Sequence, residues 1–316
     1  MNSQSFISIA LVTYQSASTV VQTLNSIVNQ SYGAQNIELI ISDDGSTDTT
    51  VITINSWIKE HGKKFQNVKL LVSENNNGTV YNLEQALRAC SGQWIKTIAG
   101  DDILLPSCLS SFKEYSTKNQ SRVIFSQMSS FQFKNEEIRI LDNVFPDSNQ
   151  KKVLKAGIEE QKKHLQHSCF AVAPTTFIEK NLLEEVGYLN LNFRLLEDYP
   201  LWIKIIEHGV RFSFLDEITV LYRIGESTSR TNDKIVNLDL MQDLIILEKS
   251  ILSNHSDINK LQLIRRMVWV YLYPEFISKF KNKRTFLSKY TLLVFNSLFK
   301  IGFFKKTINN LLRAIM

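Results

Sequence analysis

The chain has 316 residues, 44% hydrophobic and 21% charged, a balance that excludes intrinsic disorder and suits one large domain or two ordinary ones. Three cysteines, Cys90, Cys108 and Cys169, cannot all pair and lack metal-ligand spacing, which excludes a disulfide framework and fits a reducing compartment. The net charge of +5 is unevenly spread: residues 258–316 hold twelve Lys/Arg and one acid, Glu275, leaving 24 basic and 30 acidic residues before them.

In chain order, residues 6–12 (FISIALV) read as a strand buried on both faces. Residues 18–29 read as a helix, because Val20, Val21, Leu24, Ile27 and Val28 recur at helical spacing. A strand over 37–42, a helix from about Asp48, a strand over 68–72, a helix over 79–89 and a strand over 93–98 follow. Such βα repeats predict a mainly parallel sheet flanked by helices, with ligands at the carboxyl ends of the strands. After Ser121 the pattern changes. Residues 123–126 and 130–133 read as two strands, 142–152 as a polar stretch, 199–208 as a helix opened by Glu197-Asp198 with Pro200 in its first turn, and 218–223 as a last strand. From about Lys234 the pattern is helical, so an α/β domain is expected over 1–232 and an all-helical, basic region over 233–316, with the boundary near 231–233. The polar residues 1–5 carry no basic stretch leading into an apolar run, so no signal peptide is expected.

The residues that follow the strands are unusually polar. Thr13, Tyr14 and Gln15 follow the first, Asp43-Asp44-Gly45-Ser46-Thr47-Asp48 the second, Glu74-Asn75-Asn76-Asn77-Gly78 the third and Asp101-Asp102 the fourth. Taken singly these have structural explanations: Asp43/Asp44 as loop and cap residues, Asp101/Asp102 as a turn, Glu197/Asp198 as charges at a helix start, Tyr14 as packing. Together they exceed those needs, since adjacent carboxylates cost energy unless a cation or donors offset them. His164 and His167 lie three apart with no third ligand at suitable spacing, so packing or solvation is expected of them rather than metal binding.

Val12-Thr13-Tyr14, DDGSTD at 43–48, Asn77-Gly78, Gly100-Asp101-Asp102 with Pro106, Gly187-Tyr188-Leu189, Glu197-Asp198 and Tyr222-Arg223 occur in that order. With them the sequence resembles the inverting GT-A glycosyltransferases of family 2 over roughly residues 6–230. The resemblance implies a Rossmann-like α/β fold and a nucleotide-sugar donor held by Thr13, Tyr14, Asp43, Asp44, Asn77 and Asp101. Tyr14 would lie against the base and Asp44 would accept a hydrogen bond from a uracil imide. Asp101 and Asp102 would hold Mg²⁺ or Mn²⁺, for which carboxylates are suitable ligands. Asp198 would be the general base, with Glu197 and Arg223 as secondary candidates. The implied activity is that of a hexosyl- or N-acetylhexosaminyltransferase acting on a saccharide or polyprenyl-diphosphate-linked acceptor, in bacterial capsule, O-antigen or other surface polysaccharide synthesis.

Four positions depart from the family pattern: Ala99 stands where an acid is common, Gly225 where a His is, Gln15 for Asn and Tyr81 for Arg. They leave room for a changed donor, an altered metal dependence, or a degenerate nucleotide-sugar binder or assembly partner without catalysis. A sugar-phosphate nucleotidyltransferase would need a Gly-rich phosphate loop, and residues 13–18 contain no Gly.

In the tail, Phe286, Leu287, Tyr290, Leu293, Val294, Leu298 and Ile301 mark an apolar helical stripe with Lys289, Lys300, Lys305 and Lys306 nearby. The run 290–304 falls short of the ~20 apolar residues that span a bilayer. A basic amphipathic helix on an anionic membrane surface is expected, giving a cytoplasmic, peripheral location on the inner face. Packing on the α/β domain is the alternative. Nothing resembles a nucleic-acid recognition motif.

Overall fold

The computed structural model describes residues 6–134, 137–224, 234–254 and 260–299. The expected boundary at 231–233, Gly225, and the tail residues Lys300, Ile301, Lys305 and Lys306 lie outside them. The described residues fall into two compact units: 6–165 with 169–224, and 166–168 with 234–254 and 260–299.

The first unit opens with the expected alternation: β1 (Ile7–Thr13), α1 (Val20–Val28), β2 (Ile37–Asp43), α2 (Thr50–His61), β3 (Asn67–Val72), α3 (Thr79–Ala89) and β4 (Trp94–Ala99). There follow β5 (Ile103–Leu104), α4 (Cys108–Asn119), β6 (Val123–Lys134), β7 (Glu137–Phe145), α5 (Ser148–Lys155), α6 (Ile158–Leu165), β8 (Phe177–Glu179), α7 (Lys180–Val186), α8 (Asp198–Glu207) and β9 (Ser213–Arg223). The nine strands form one sheet in the order β3-β2-β1-β4-β8-β6-β9-β5, with β7 beside β6. β1 runs parallel to β2 and β4, and β2 parallel to β3. The register pairs Thr13 with Asp43 and Asp43 with Val72, so the first three strands end together and open their loops at one edge.

Apolar side chains on both faces explain why these strands sit at the centre. Ile7, Ile9, Leu11, Leu39 and Ile41 are fully buried, and α1 lays Val20, Leu24 and Ile27 against them. Each such side chain contributes roughly 1.5–3 kcal/mol as an upper estimate.

One expectation needs correction. Residues 123–126 and 130–133 belong to one strand, β6; its polar middle breaks the apolar alternation, and its register against β9 shifts between Phe125 and Met128. The polar stretch 142–152 takes regular structure. Its first part completes β7, which pairs with β6, and Asp147 then caps α5, accepting the Asn149 and Gln150 N–H groups while Gln150 answers the Asp147 N–H.

The second unit comprises α9 (Leu238–Asn254), α10 (Lys260–Lys279) and α11 (Phe286–Phe299), around a small core of Met241, Trp269, Val270, Tyr273 and Ile277. In α11, Leu292 and Phe295 pack against this core, but much of the rest is apolar on the outside. Ser288 and Asn296 are buried, while Phe286, Leu287, Tyr290, Leu293, Val294 and Leu298 are exposed. Among the described residues no helix is long and apolar enough to cross a membrane.

Candidate active site

The first three loops are knitted together by their own side chains. Thr13, closing β1, donates its hydroxyl to Asp43 Oδ2 at 2.7 Å. Asp43 also accepts the Ser46 N–H (2.8 Å) and the Ser46 hydroxyl (2.7 Å), and is wholly buried. Asp44 sends its N–H to the Thr13 carbonyl at 3.0 Å. Its two carboxylate oxygens accept the N–H groups of Asn77 (2.8 Å) and Gly78 (2.9 Å). An ionised carboxylate oxygen has room for a second donor, so these bonds are compatible with a ligand contact at Asp44.

Close backbone approach fixes two glycines. A Cβ on Gly45 (φ +71°) would lie 2.8 Å from the Asn75 carbonyl carbon, and one on Gly78 (φ +97°) would lie 2.5 Å from the Arg194 carbonyl oxygen. Gln15, itself at positive φ, bridges back: its side-chain oxygen accepts the Thr47 and Asp48 N–H groups, and its amide donates to the Thr47 hydroxyl. Tyr14 beside it is 37% exposed, an aromatic face open at the loop edge.

The fourth loop carries the carboxylate pair. Asp102 is buried, with Oδ1 accepting the Arg223 N–H at 3.0 Å and its carbonyl accepting the Thr23 hydroxyl. Arg223 Nε donates to the Asp101 carbonyl at 2.8 Å, and Nη2 donates to Gln22. Burial first, and then the neighbouring Asp101 charge, pushes the Asp102 carboxyl up to about 8. Burial also raises Asp101, against the pull of Arg223. Two carboxylates this reluctant to ionise together suit a divalent cation, and their oxygen atoms suit a hard one. Among the described residues no group of three His, Cys, Asp or Glu side chains could hold a metal ion. His164 sits on α6, 3.2 Å from Glu160, and His167 lies beyond that helix.

Asp198 begins α8 and Glu197 precedes it. Asp198 Oδ1 accepts the N–H of Tyr199 at 2.6 Å. Burial outweighs its hydrogen bonds and raises this carboxyl above the ordinary Asp range. A higher value makes a better proton acceptor in the ionised form.

The structure joins Thr13, Asp43, Asp44 and Asn77 in one hydrogen-bonded group, and Asp101, Asp102 and Arg223 in a second. Gly100 links them, with its N–H on the Val12 carbonyl and its carbonyl accepting the Thr19 hydroxyl. Asp198 is bonded to neither group but ends the 187–197 segment, in which Arg194 donates to Asn76 and accepts the Val80 N–H.

Several supporting residues escaped the sequence reading. Buried Glu84 on α3 accepts the Leu189 N–H at 3.0 Å and pairs with Arg88, which in turn lies over the Tyr188 ring at 4.4 Å. These contacts anchor the Gly187-Tyr188-Leu189 motif. Lys96, fully buried in mid-β4, donates to the carbonyls of Thr97 and Pro174, each at 2.7 Å, and burial lowers its ammonium to about 8. A lone Lys inside an apolar strand was the visible signal for it.

The comparisons agree with this geometry. The sequence matches the family described as Glycosyl transferase family 2 over residues 8–187. It is 25% identical over 236 residues to the Escherichia coli UDP-Glc:alpha-D-GlcNAc-diphosphoundecaprenol beta-1,3-glucosyltransferase WfaP, covering 72% of this chain and 80% of that protein. The structure is similar to S. aureus TarS 1-349 in complex with UDP-GlcNAc, with a TM-score of 0.62 at 18% identity over 93% of this chain and 81% of that one. It is also similar to the mannosyltransferase PcManGT from Pyrobaculum calidifontis in complex with GDP-Man and Mn²⁺, with a TM-score of 0.58 at 13% identity over 94% and 81%. These likenesses carry the fold, and the sequence match spans more than half the chain. Four loops at the carboxyl edge of a GT-A sheet, built from the residues of that match, therefore place the chain in glycosyl transferase family 2.

Proposed function

We propose that this glycosyltransferase moves a sugar from a UDP-sugar to a hydroxyl of a saccharide or lipid-linked acceptor, in a single inverting displacement. The observation that carries the reading is the pairing of two buried groups at one sheet edge: the Thr13–Asp43–Asp44–Asn77 network, and the Asp101/Asp102 pair backed by Arg223. The names of WfaP and of the TarS complex both specify uridine nucleotides, which favours a uridine donor here. WfaP's acceptor, a diphosphoundecaprenol, favours a lipid diphosphate and a place in surface-polysaccharide synthesis, capsule or O-antigen included.

In this reading the Tyr14 ring stacks on the base, and Asp44 accepts the imide N–H while bracing Asn77 and Gly78. Asp101 and Asp102 would hold Mg²⁺ or Mn²⁺, the latter being the ion in the PcManGT complex. When bound, that cation offsets charge on the departing diphosphate as a Lewis acid. Arg223 adds a fixed positive charge beside the pair, and Asp198 takes the proton from the acceptor hydroxyl. The outward apolar stripe of α11, with Lys289 on the same helix, supports a peripheral contact with an anionic membrane surface.

A panel of nucleotide sugars screened for release of the nucleoside diphosphate tests the proposal. Release from a UDP-sugar in the presence of Mn²⁺ or Mg²⁺ is expected. Tight UDP binding with no release from any donor would favour a non-catalytic binder, the reading that Ala99 keeps open.

A further inference from the structure

Beyond the buried Phe131, the β6–β7 ribbon carries an apolar strip of Phe133, Ile138 and Ile140 that neither the core nor the proposed donor site uses. β6 and β7 pair antiparallel with Phe131 opposite Ile140 and Phe133 opposite Ile138, so these four side chains share one sheet face. Phe131 also pairs with Arg223 of β9, and the Arg223 guanidinium lies over the Phe131 ring at 4.6 Å and the Phe133 ring at 5.9 Å. The same face therefore runs from the residue that contacts Asp101 and Asp102 outward along the ribbon.

Its outer part is open. Phe133 is 45% exposed, Ile138 46% and Ile140 57%. Every residue of β7 except Leu141 is exposed, and Ile138 and Ile140 alternate with Glu137 and Arg139. Exposed branched aliphatics in a row are costly without a partner. A cation at one end and hydrocarbon along the rest is complementary to an amphiphilic anion, that is, a diphosphate joined to an apolar chain.

We infer that this face is the acceptor subsite for the chain end of a prenyl-diphosphate-linked acceptor. The diphosphate lies toward Arg223, and the first isoprene units lie over Phe133, Ile138 and Ile140. The inference rests on the proposed reading of the neighbouring edge as the UDP-sugar site. It adds where on the fold the apolar end of that acceptor lies. The apolar face gives length-dependent affinity and Arg223 gives the preference for an anion.

The test uses the full chain saturated with UDP and Mn²⁺, titrated by calorimetry with farnesyl diphosphate and, separately, with inorganic pyrophosphate. Farnesyl diphosphate is expected to bind at least about tenfold more tightly, since each buried CH₂ adds several-fold in affinity. The Ile138→Ser/Ile140→Ser double variant should lose most of that difference while keeping wild-type UDP affinity; both positions are exposed, so folding should survive. Ile52→Ser, on exposed α2, should change nothing. Equal binding of the two probes, or a preference that the double variant keeps, overturns the inference; the second result would place the lipid elsewhere, such as on α11. Dimerisation abolished by the double variant would instead make the ribbon a contact between copies, and would overturn it too. Failure of UDP itself to bind is a different result: it removes the donor-site reading and the inference with it.

Discussion

At the scale of single residues, the proposed chemistry turns on Asp198. Its carboxyl is raised by burial, so activity should fall on acidification at a higher pH than an ordinary Asp would allow, because the protonated form cannot accept the acceptor's proton. Asp198→Asn keeps size but removes the acceptor, and turnover should drop by roughly 10²–10⁴-fold with UDP affinity unchanged. Glu197→Gln should lose less. Normal turnover by Asp198→Asn with a dead Glu197→Gln would move the base to Glu197. Asp102 gives a prediction of opposite sign for stability. Its carboxyl, raised to about 8 in the folded protein, is more easily protonated there than in the unfolded chain. The protein without added metal therefore loses stability as pH rises from the ordinary Asp range through about 8. Asp102→Asn should melt at a higher temperature than wild type at alkaline pH while losing activity, a trade-off common at functional sites. An unchanged or lower melting temperature there would show that the pair is already compensated.

At the scale of elements, the loops depend on backbones that touch. Gly78→Ala must place a methyl 2.5 Å from the Arg194 carbonyl at φ +97°, so a loss of at least about 1–3 kcal/mol in urea unfolding is expected, together with weaker UDP binding. Stability within error of wild type would mean that the 187–197 segment yields easily. The sequence was legible where its signals were local. Periodicity located β1 to α3 closely, and α3 falls at 79–89 as expected, because those elements are apolar at the spacing their own geometry demands. The polar loops were legible for the same reason, each following its strand directly. The β7 ribbon was not, since its partners are supplied by β6 and its apolar residues stay exposed. The bonds of Glu84 to Leu189 and of Lys96 to Pro174 join residues far apart in sequence, and no local pattern encodes such pairs.

For the whole molecule, the helical unit and the α/β unit divide the work proposed. All proposed donor residues lie in the first unit, whereas the exposed apolar residues of α11 lie in the second. Removing residues after Lys283 should release the protein from anionic vesicles and leave UDP affinity unchanged. Binding of the intact chain should weaken as salt rises, because screening shortens the reach of each lysine. Indifference of the intact chain to anionic vesicles at low salt would make α11 a packing surface. In the proposed function the carboxyl edge of this sheet holds a uridine diphosphate through Asp101 and Asp102 with a divalent cation. Calorimetric titration of the intact chain with UDP, in Mn²⁺ and then in EDTA, tests it most directly. Saturable binding is expected in Mn²⁺, weakening at least about tenfold in EDTA, with a matching loss in Asp101→Ala with Mn²⁺ present. UDP binding of equal strength in Mn²⁺, in EDTA and in Asp101→Ala would contradict it.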